Sequence, residues 1–199
     1  MSEWVCVASR DRILTRLGAI KNQRGLVLLL GRSGSGKSAM LENFAQQNDA
    51  PRLTDPCDNL KDFEQNLKPH FCKNPILLDE VGLYDAALLE RVRIYSDERL
   101  FILGAHKKHK LFKKEHFKSR IVAEFELLPL LREELRHYVK EKHSLDFEEK
   151  DLRWIDKICR HNLRSVDKIL KTFKELRPFC DKTPAHILRL CALENHLLG

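Results

Sequence analysis

The sequence predicts an α/β fold, a parallel sheet covered by helices on both faces, followed by an all-helical C-terminal piece. Three observations predict it. The apolar runs at 26–30, 75–78 and 100–105 are continuous rather than alternating, as strands buried on both faces are. Segments of helical period separate them, which makes the strands parallel. After Pro129 four segments of helical period follow in a row and no strand signal remains.

Taken in order, residues 10–21 form an amphipathic helix with Ile13, Leu14, Leu17 and Ile20 on one face. Residues 26–30 are the first strand. Residues 37–47 are a helix whose core side is Met40, Leu41 and Phe44. Between 49 and 75 the pattern weakens to a short strand at Arg52-Leu53 and a helix over 60–71. The second buried strand, 75–78, ends in Asp79-Glu80. A helix over 86–96, a third strand over 100–105 and a fourth over 121–127 complete the sheet. The basic run 106–118 between the last two strands reads as helix or loop. Helices over 130–142, 148–159, 163–176 and 185–196 make the C-terminal piece. The boundary at Pro129 divides the chain into an α/β domain, 1–129, and a helical domain, 130–199. No repeats, low-complexity tracts or Gly/Ser linkers interrupt it.

Composition narrows the class. With 199 residues, 43% hydrophobic and 33% charged, the chain can build one sizeable core with a small satellite. No stretch reaches the roughly 18–20 apolar residues that span a bilayer, and the N-terminus lacks the basic and apolar regions of a signal peptide. The six cysteines form no C-x-x-C pair and the nine histidines no H-E-x-x-H pattern, so free thiols in a reducing compartment are expected. The net charge of +7 permits an acidic partner without requiring one. Positive charge concentrates at 106–118, with apolar residues at Leu111, Phe112 and Phe117. That pattern suits either a solvated helix face or a surface that tracks DNA phosphates.

The chemistry begins after the first strand. Gly31-Arg32-Ser33-Gly34-Ser35-Gly36-Lys37-Ser38 has the G-x-x-x-x-G-K-S spacing of a P-loop, and the site runs on to Ala39. Its glycines let backbone N–H groups turn toward phosphates, and the next helix points its positive end at the same anion. Lys37 reaches the β/γ-phosphates and the Ser38 hydroxyl ligates Mg²⁺. Four apolar residues followed by Asp79-Glu80 form the Walker B pattern. Asp79 belongs to the Mg²⁺ shell, and Glu80 orients and polarises the attacking water. A helix N-cap is the alternative for these two acids, and the P-loop about forty residues upstream argues against it. Asp79-Glu80-Val81-Gly82 also fits the D-x-x-G of GTPases, but no N-K-x-D follows. No L-S-G-G-Q points to a transport cassette, and a small-molecule kinase seldom needs the acid pair or the helical piece.

Three further positions complete a pattern. His106 follows the third strand, Arg120 precedes the fourth, and Arg164 lies in the first turn of a helix for which Asn162 is a plausible cap. A cation in that turn opposes the helix dipole, which hints at another task for Arg164. The set resembles the AAA+ ATPases, in which such residues are sensor 1, the arginine finger and sensor 2. Within that superfamily the segments Leu89-Glu90-Arg91-Val92-Arg93, Leu103-Gly104-Ala105-His106, Arg120-Ile121, Leu127-Leu128-Pro129-Leu130 and His161 to Arg164 resemble the GspA/ExeA type, accessory ATPases of type II secretion with relatives in DNA uptake and transposition. The resemblance covers about 10–176. Val81-Gly82 stands where that type usually has Ala-Gln, the loop before the third strand is short, and its membrane and peptidoglycan-binding parts are missing.

The resemblance implies a sheet order of 5-1-4-3-2 and a helical lid. It implies ATP and Mg²⁺ as ligands, and homo-oligomers in which Arg120 reaches a neighbour's γ-phosphate. It also implies a soluble, cytoplasmic component of a secretion or DNA-transformation apparatus, peripheral at the inner membrane through partner proteins. A DNA-binding transposition helper or replication loader using 106–118, and a nucleotide-gated scaffold without hydrolysis, are the alternatives.

Overall fold

The computed structural model describes residues 4–54 and 59–198. The signal-peptide reading of residues 1–3 and the thiol of Cys57 lie outside the described residues. The elements are α1 (Ala8–Ile20), β1 (Gly25–Leu30), α2 (Lys37–Asn48), β2 (Arg52–Leu53), α3 (Leu60–Leu67), β3 (Ile76–Leu78), α4 (Ala86–Tyr95), β4 (Leu100–Ala105), α5 (Glu115–Lys118), β5 (Ile121–Glu126), α6 (Arg132–His143), α7 (Glu149–Cys159), α8 (Leu163–Leu176) and α9 (Pro184–Glu194).

The five strands form one sheet in the order β2-β3-β4-β1-β5, which is 5-1-4-3-2 read from the other edge, and every pairing is parallel. In β1, Leu26, Val27, Leu28 and Leu29 are fully buried, as are Leu100 to Leu103 in β4. The continuous apolar runs reflect burial on both faces. At the edge, β5 alternates, with Phe125 buried and Glu124 and Glu126 turned outward. The 60–71 segment is not one helix. Pro69 has no N–H to continue the ladder, so α3 ends at Leu67 and a 3₁₀ turn, Lys68–His70, follows. The basic run becomes a 3₁₀ turn, Lys110–Lys113, and the short α5, anchored by Leu111, Phe112 and Phe117.

The chain divides into two compact units. The α/β unit is Arg10–Arg32 with Lys37–Leu127; the helical unit is Leu128–Gly199 with Met1–Ser9 and Ser33–Gly36, so far as those residues are described. In the α/β unit the core packs Leu26, Leu28, Ile76, Leu78, Phe101 and Leu103 against Phe63, Leu88, Leu89, Phe112 and Phe117. Asn74 ties the opposite end of the sheet: its Nδ2 donates to the Lys21 and Gln23 carbonyls and its Oδ1 accepts from Leu100 N–H. Asn59 and Asp85 cap α3 and α4 through side-chain oxygens, the usual means of satisfying a first-turn N–H.

The helical unit has its own core of Leu135, Val139, Leu152, Ile155, Val166, Ile169, Leu170, Ile187, Leu188 and Cys191. Burial pushes the Cys159 thiol up to about 12 and the Cys191 thiol up to about 11, so neither is a nucleophile. Thr183 caps α9 and Pro184 occupies its first turn. One half-buried polar cluster joins α6 to α8. Asp167 accepts from Tyr138 Oη at 2.9 Å, Lys142 Nζ at 2.7 Å and His143 Nε2 at 2.9 Å. Among the described residues no helix is long and apolar enough to cross a membrane.

Asp167→Asn is expected to lower stability by about 1–3 kcal/mol, the cost of leaving partly buried donors without their charged acceptor. Thermal unfolding of the variant checks it. Acid should act the same way. Burial raises the Asp167 carboxyl, but hydrogen bonds from His143 and Lys142 outweigh it and hold the group below its ordinary value. A depressed carboxyl gives its full stabilisation above that ordinary value and loses it as pH falls through the lower folded-state value. The difference between wild type and variant should therefore shrink only in strong acid.

Candidate functional site

Parallel pairing brings the C-terminal ends of β1, β3 and β4 to one edge of the sheet, where ligands bind in such folds. In the register, Leu30 lies opposite Ala105 and Leu78 opposite Leu103. The residues that leave these strands, Gly31, Asp79 and His106, therefore start from neighbouring positions. Gly31 N–H donates to the Ala105 carbonyl at 3.2 Å, which fixes the root of the glycine loop to the end of β4.

The loop from Gly31 to Ser38 opens α2. Gly34 and Gly36 adopt φ of +72° and +94°, a region that side-chain-bearing residues avoid. Gly34 also lacks room for a side chain, since an added Cβ would fall 1.9 Å from Asn162 Oδ1. Its carbonyl accepts from Leu163 N–H at 2.9 Å, and Asn162 Oδ1 accepts from Ser165 N–H at 3.2 Å as the cap of α8. Lys37 is buried, and its ammonium donates to the carbonyls of Gly31 at 2.8 Å and Arg32 at 3.1 Å.

His106 stands between two of the predicted residues. Its Nδ1 lies 3.4 Å from Lys37 Nζ and its Nε2 3.4 Å from Glu80 Oε2. The imidazole thus stands between the ammonium of Lys37 and the carboxylate of Glu80. Glu80 itself has φ +51°, a left-handed conformation uncommon for a residue with a Cβ and often found at functional sites.

Asp79 is buried and fully engaged. Its Oδ1 accepts from Glu80 N–H at 3.0 Å and its Oδ2 from Arg52 Nη2 at 2.9 Å. Gly104 in β4 makes room for it, because an added Cβ would fall 2.8 Å from Asp79 Oδ1 and 3.0 Å from Leu41 Cδ1. The sequence reading used Gly104 only as part of a pattern and placed Arg52 only on a strand. Nothing local marks either as a partner of Asp79.

Arg120 is held within its own chain. Nε and Nη2 make a two-armed pair with Asp97, at 2.6 and 3.0 Å, and Nη1 donates to the His116 carbonyl at 2.8 Å. The guanidinium, by its hydrogen bonds, holds the Asp97 carboxyl below its usual range, and Asp97 raises Arg120 in turn. Asp97 also escaped the sequence reading, since it sits 23 positions away. Arg164 is exposed in the first turn of α8 and makes no hydrogen bond or ion pair among the described residues. In the basic segment Lys108 pairs with Glu124, and His116 with Glu90. Lys107, Lys110, Lys113 and Lys114 are exposed without an ionic partner among the described residues.

No protein-family model matches the sequence, and no curated protein is significantly similar to it. The fold is nonetheless shared with solved structures. A structure of Thermotoga maritima RuvB has a TM-score of 0.74 at 19% identity, over 92% of this chain and 67% of that one. Domain III of the Thermotoga maritima replication initiation protein DnaA gives 0.66 at 15% identity, over 98% and 95%. The Aeropyrum pernix Orc1 protein, solved in complex with DNA, gives 0.60 at 14% identity, over 92% and 64%. The strand order and the C-terminal helices are those of the AAA+ fold.

Two glycines should answer oppositely to alanine. Gly104→Ala is expected to cost about 1–3 kcal/mol through overpacking against Asp79 and Leu41. Gly18→Ala, in α1 with nothing within 4 Å of the added carbon, should stabilise by about 0.5–1 kcal/mol. Chemical denaturation of both variants measures the contrast.

Proposed function

We propose that this chain binds ATP with Mg²⁺ and hydrolyses it, as an oligomer whose subunits complete one another's sites. The observation that carries the reading is the line from Lys37 through His106 to Glu80. It holds a phosphate-binding cation and a water-polarising carboxylate at the two ends of one imidazole. The positive-φ glycines at 34 and 36 support a loop that wraps an anion with its backbone N–H groups. No group of three or more His, Cys, Asp or Glu among the described residues could hold a metal. That suits Mg²⁺, which takes one or two protein oxygens and completes its shell with water and substrate phosphates. The Ser38 hydroxyl and the Asp79 carboxylate are such oxygens. When bound, the ion neutralises charge on the β- and γ-phosphates.

In this mechanism Lys37 exchanges carbonyl oxygens for phosphate oxygens. His106 keeps Glu80 Oε2 engaged, so that Oε1 accepts from the attacking water. Arg120 stabilises the transferring phosphoryl group of a neighbouring subunit, and must leave Asp97 to do so. Arg164 has the second-sensor role on the strength of the resemblance alone.

The partner is the finer question. The four lysines of 106–118 that have no ionic partner among the described residues favour DNA, because released counterions drive cationic surfaces onto phosphates. RuvB, DnaA and DNA-bound Orc1 share the fold, which adds support by analogy only. The secretion or DNA-transformation apparatus, and a cytoplasmic place at the inner membrane, rest on the sequence resemblance. In the structure Glu90 and Arg93 pair with each other, and Arg91 pairs with Glu64, so those residues have jobs inside the fold.

Lys37→Ala should abolish binding of a fluorescent ATP analogue. Glu80→Gln should bind it normally and lose about 10²–10⁴ in turnover, the usual worth of general base catalysis. Wild-type turnover by Glu80→Gln refutes the assignment of the base. Arg120→Ala should lose about 10³-fold or more and regain activity in mixed oligomers with a Lys37→Ala subunit that supplies the arginine.

DNA binding should fall steeply with salt. Replacing Lys107, Lys110, Lys113 and Lys114 by alanine should flatten the slope of log K against log salt by about 0.7–0.9 for each phosphate no longer neutralised. An unchanged slope excludes this surface, and an ATPase indifferent to DNA at low salt favours a protein partner.

A further inference from the structure

The Walker B aspartate is already paired with a cation supplied by the chain itself. Arg52 Nη2 lies 2.9 Å from Asp79 Oδ2, with the side chains 18% and 5% exposed. This is therefore not one of the solvated ion pairs that contribute little. The guanidinium has few other ties. Nη1 is 3.9 Å from Glu42 Oε2, and the buried Nε makes no hydrogen bond. Asp79 Oδ1, the other oxygen, takes the Glu80 N–H and packs close against Gly104 of β4, where a Cβ would fall 2.8 Å away.

We propose that Arg52 is a positioning residue that compensates the charge of Asp79 in the nucleotide-free protein and thereby keeps free divalent metal out of the site. A dication on Asp79 would sit within a few ångströms of a fixed positive charge in a poorly solvated pocket. Its repulsion from Arg52 is offset only when triphosphate oxygens arrive with it. The metal then enters with nucleotide rather than ahead of it. Arg52 also orients Asp79 by holding its Oδ2. Glu42, one turn after Ser38 on α2, gives the guanidinium a weak second anchor on the helix that carries the other metal-binding oxygen. The inference rests on the reading of Asp79 as the metal ligand.

Mn²⁺ tests it, because its binding can be followed by electron paramagnetic resonance without turnover. Wild-type protein without nucleotide should bind Mn²⁺ weakly. Arg52→Gln, which keeps a donor and removes the charge, should bind Mn²⁺ alone at least about tenfold tighter, a change of about 1.4 kcal/mol. Its affinity for fluorescent ATP in the presence of Mn²⁺ should move much less. Arg52→Lys keeps the charge and should resemble wild type. The proposal is overturned if Arg52→Gln binds Mn²⁺ alone no tighter than wild type, or if Arg52→Lys gains as much as Arg52→Gln. Asp79→Asn separates the two layers. If it leaves the Mn²⁺-dependent part of ATP binding intact, the reading of Asp79 fails and the proposal with it. If it removes that part while Arg52→Gln shows no gain, only the role of Arg52 fails. Should Arg52→Gln not fold, Arg52→Met, which fills the same space without charge, takes the same test with the same two outcomes.

Discussion

Everything at the candidate site depends on β1 being paired in parallel on both sides, with β4 along its full length and with β5 across a register shift. Two parallel neighbours satisfy its backbone on both edges, and cover on both faces makes it apolar throughout. They also fix the direction in which each chain segment leaves the sheet. The glycine loop, the acid pair and His106 all depart from C-terminal strand ends, so one topological choice gathers them at one edge. An antiparallel β3 would carry Asp79 and Glu80 to the opposite end. Gly104 belongs to the same constraint, since β4 must run past Asp79 without a side chain there.

A second regularity is electrostatic. Lys37, Arg52 and Arg120, three cations of the α/β unit to which the proposal gives a role, each hold a partner: backbone carbonyls and His106, Asp79, and Asp97. Cations prepared this way are ordered before a ligand comes, which lowers the entropy lost on binding. They also bind by exchange, so the net gain from each new hydrogen bond is smaller than the bond itself. Only interactions stronger with the transferring phosphoryl group than with the resting partner accelerate the reaction. The Asp97–Arg120 pair lies in solvent, where ion pairs contribute little, so it sets only a low threshold for Arg120 to change partner.

The helical unit is built differently. Its helices bury an apolar core on one face, and one half-buried polar cluster is satisfied from three sides of Asp167. A satisfied cluster favours the packing of α6 on α8 that supplies Asp167 with three donors. The basic segment between β4 and β5 combines both designs. Leu111, Phe112 and Phe117 fasten it to the α/β core while Lys107, Lys110, Lys113 and Lys114 are exposed, so apolar anchors and an exposed basic surface coexist in one short stretch.

Much of this was legible without coordinates, for identifiable reasons. Strands and helices follow from period and burial, which are local, and the bounds of β2, β4 and α8 agree with the sequence reading to the residue. Where the reading erred, as in the single helix over 60–71, a local cause existed in Pro69 and was underweighted. The phosphate loop was legible because its glycines, lysine and serine are contiguous, and the acid pair because it ends an apolar run. The pairs that give these residues their working state were not. Arg52 meets Asp79 across 27 positions, Arg120 meets Asp97 across 23, and Lys37 meets His106 across 69. By itself the sequence determined which elements form and which contiguous residues make the candidate phosphate motifs, since backbone conformation and short motifs are encoded by neighbours. Only the tertiary structure decided which charges meet and why position 104 must be glycine. Those depend on how distant strands lie side by side, and no local pattern encodes that.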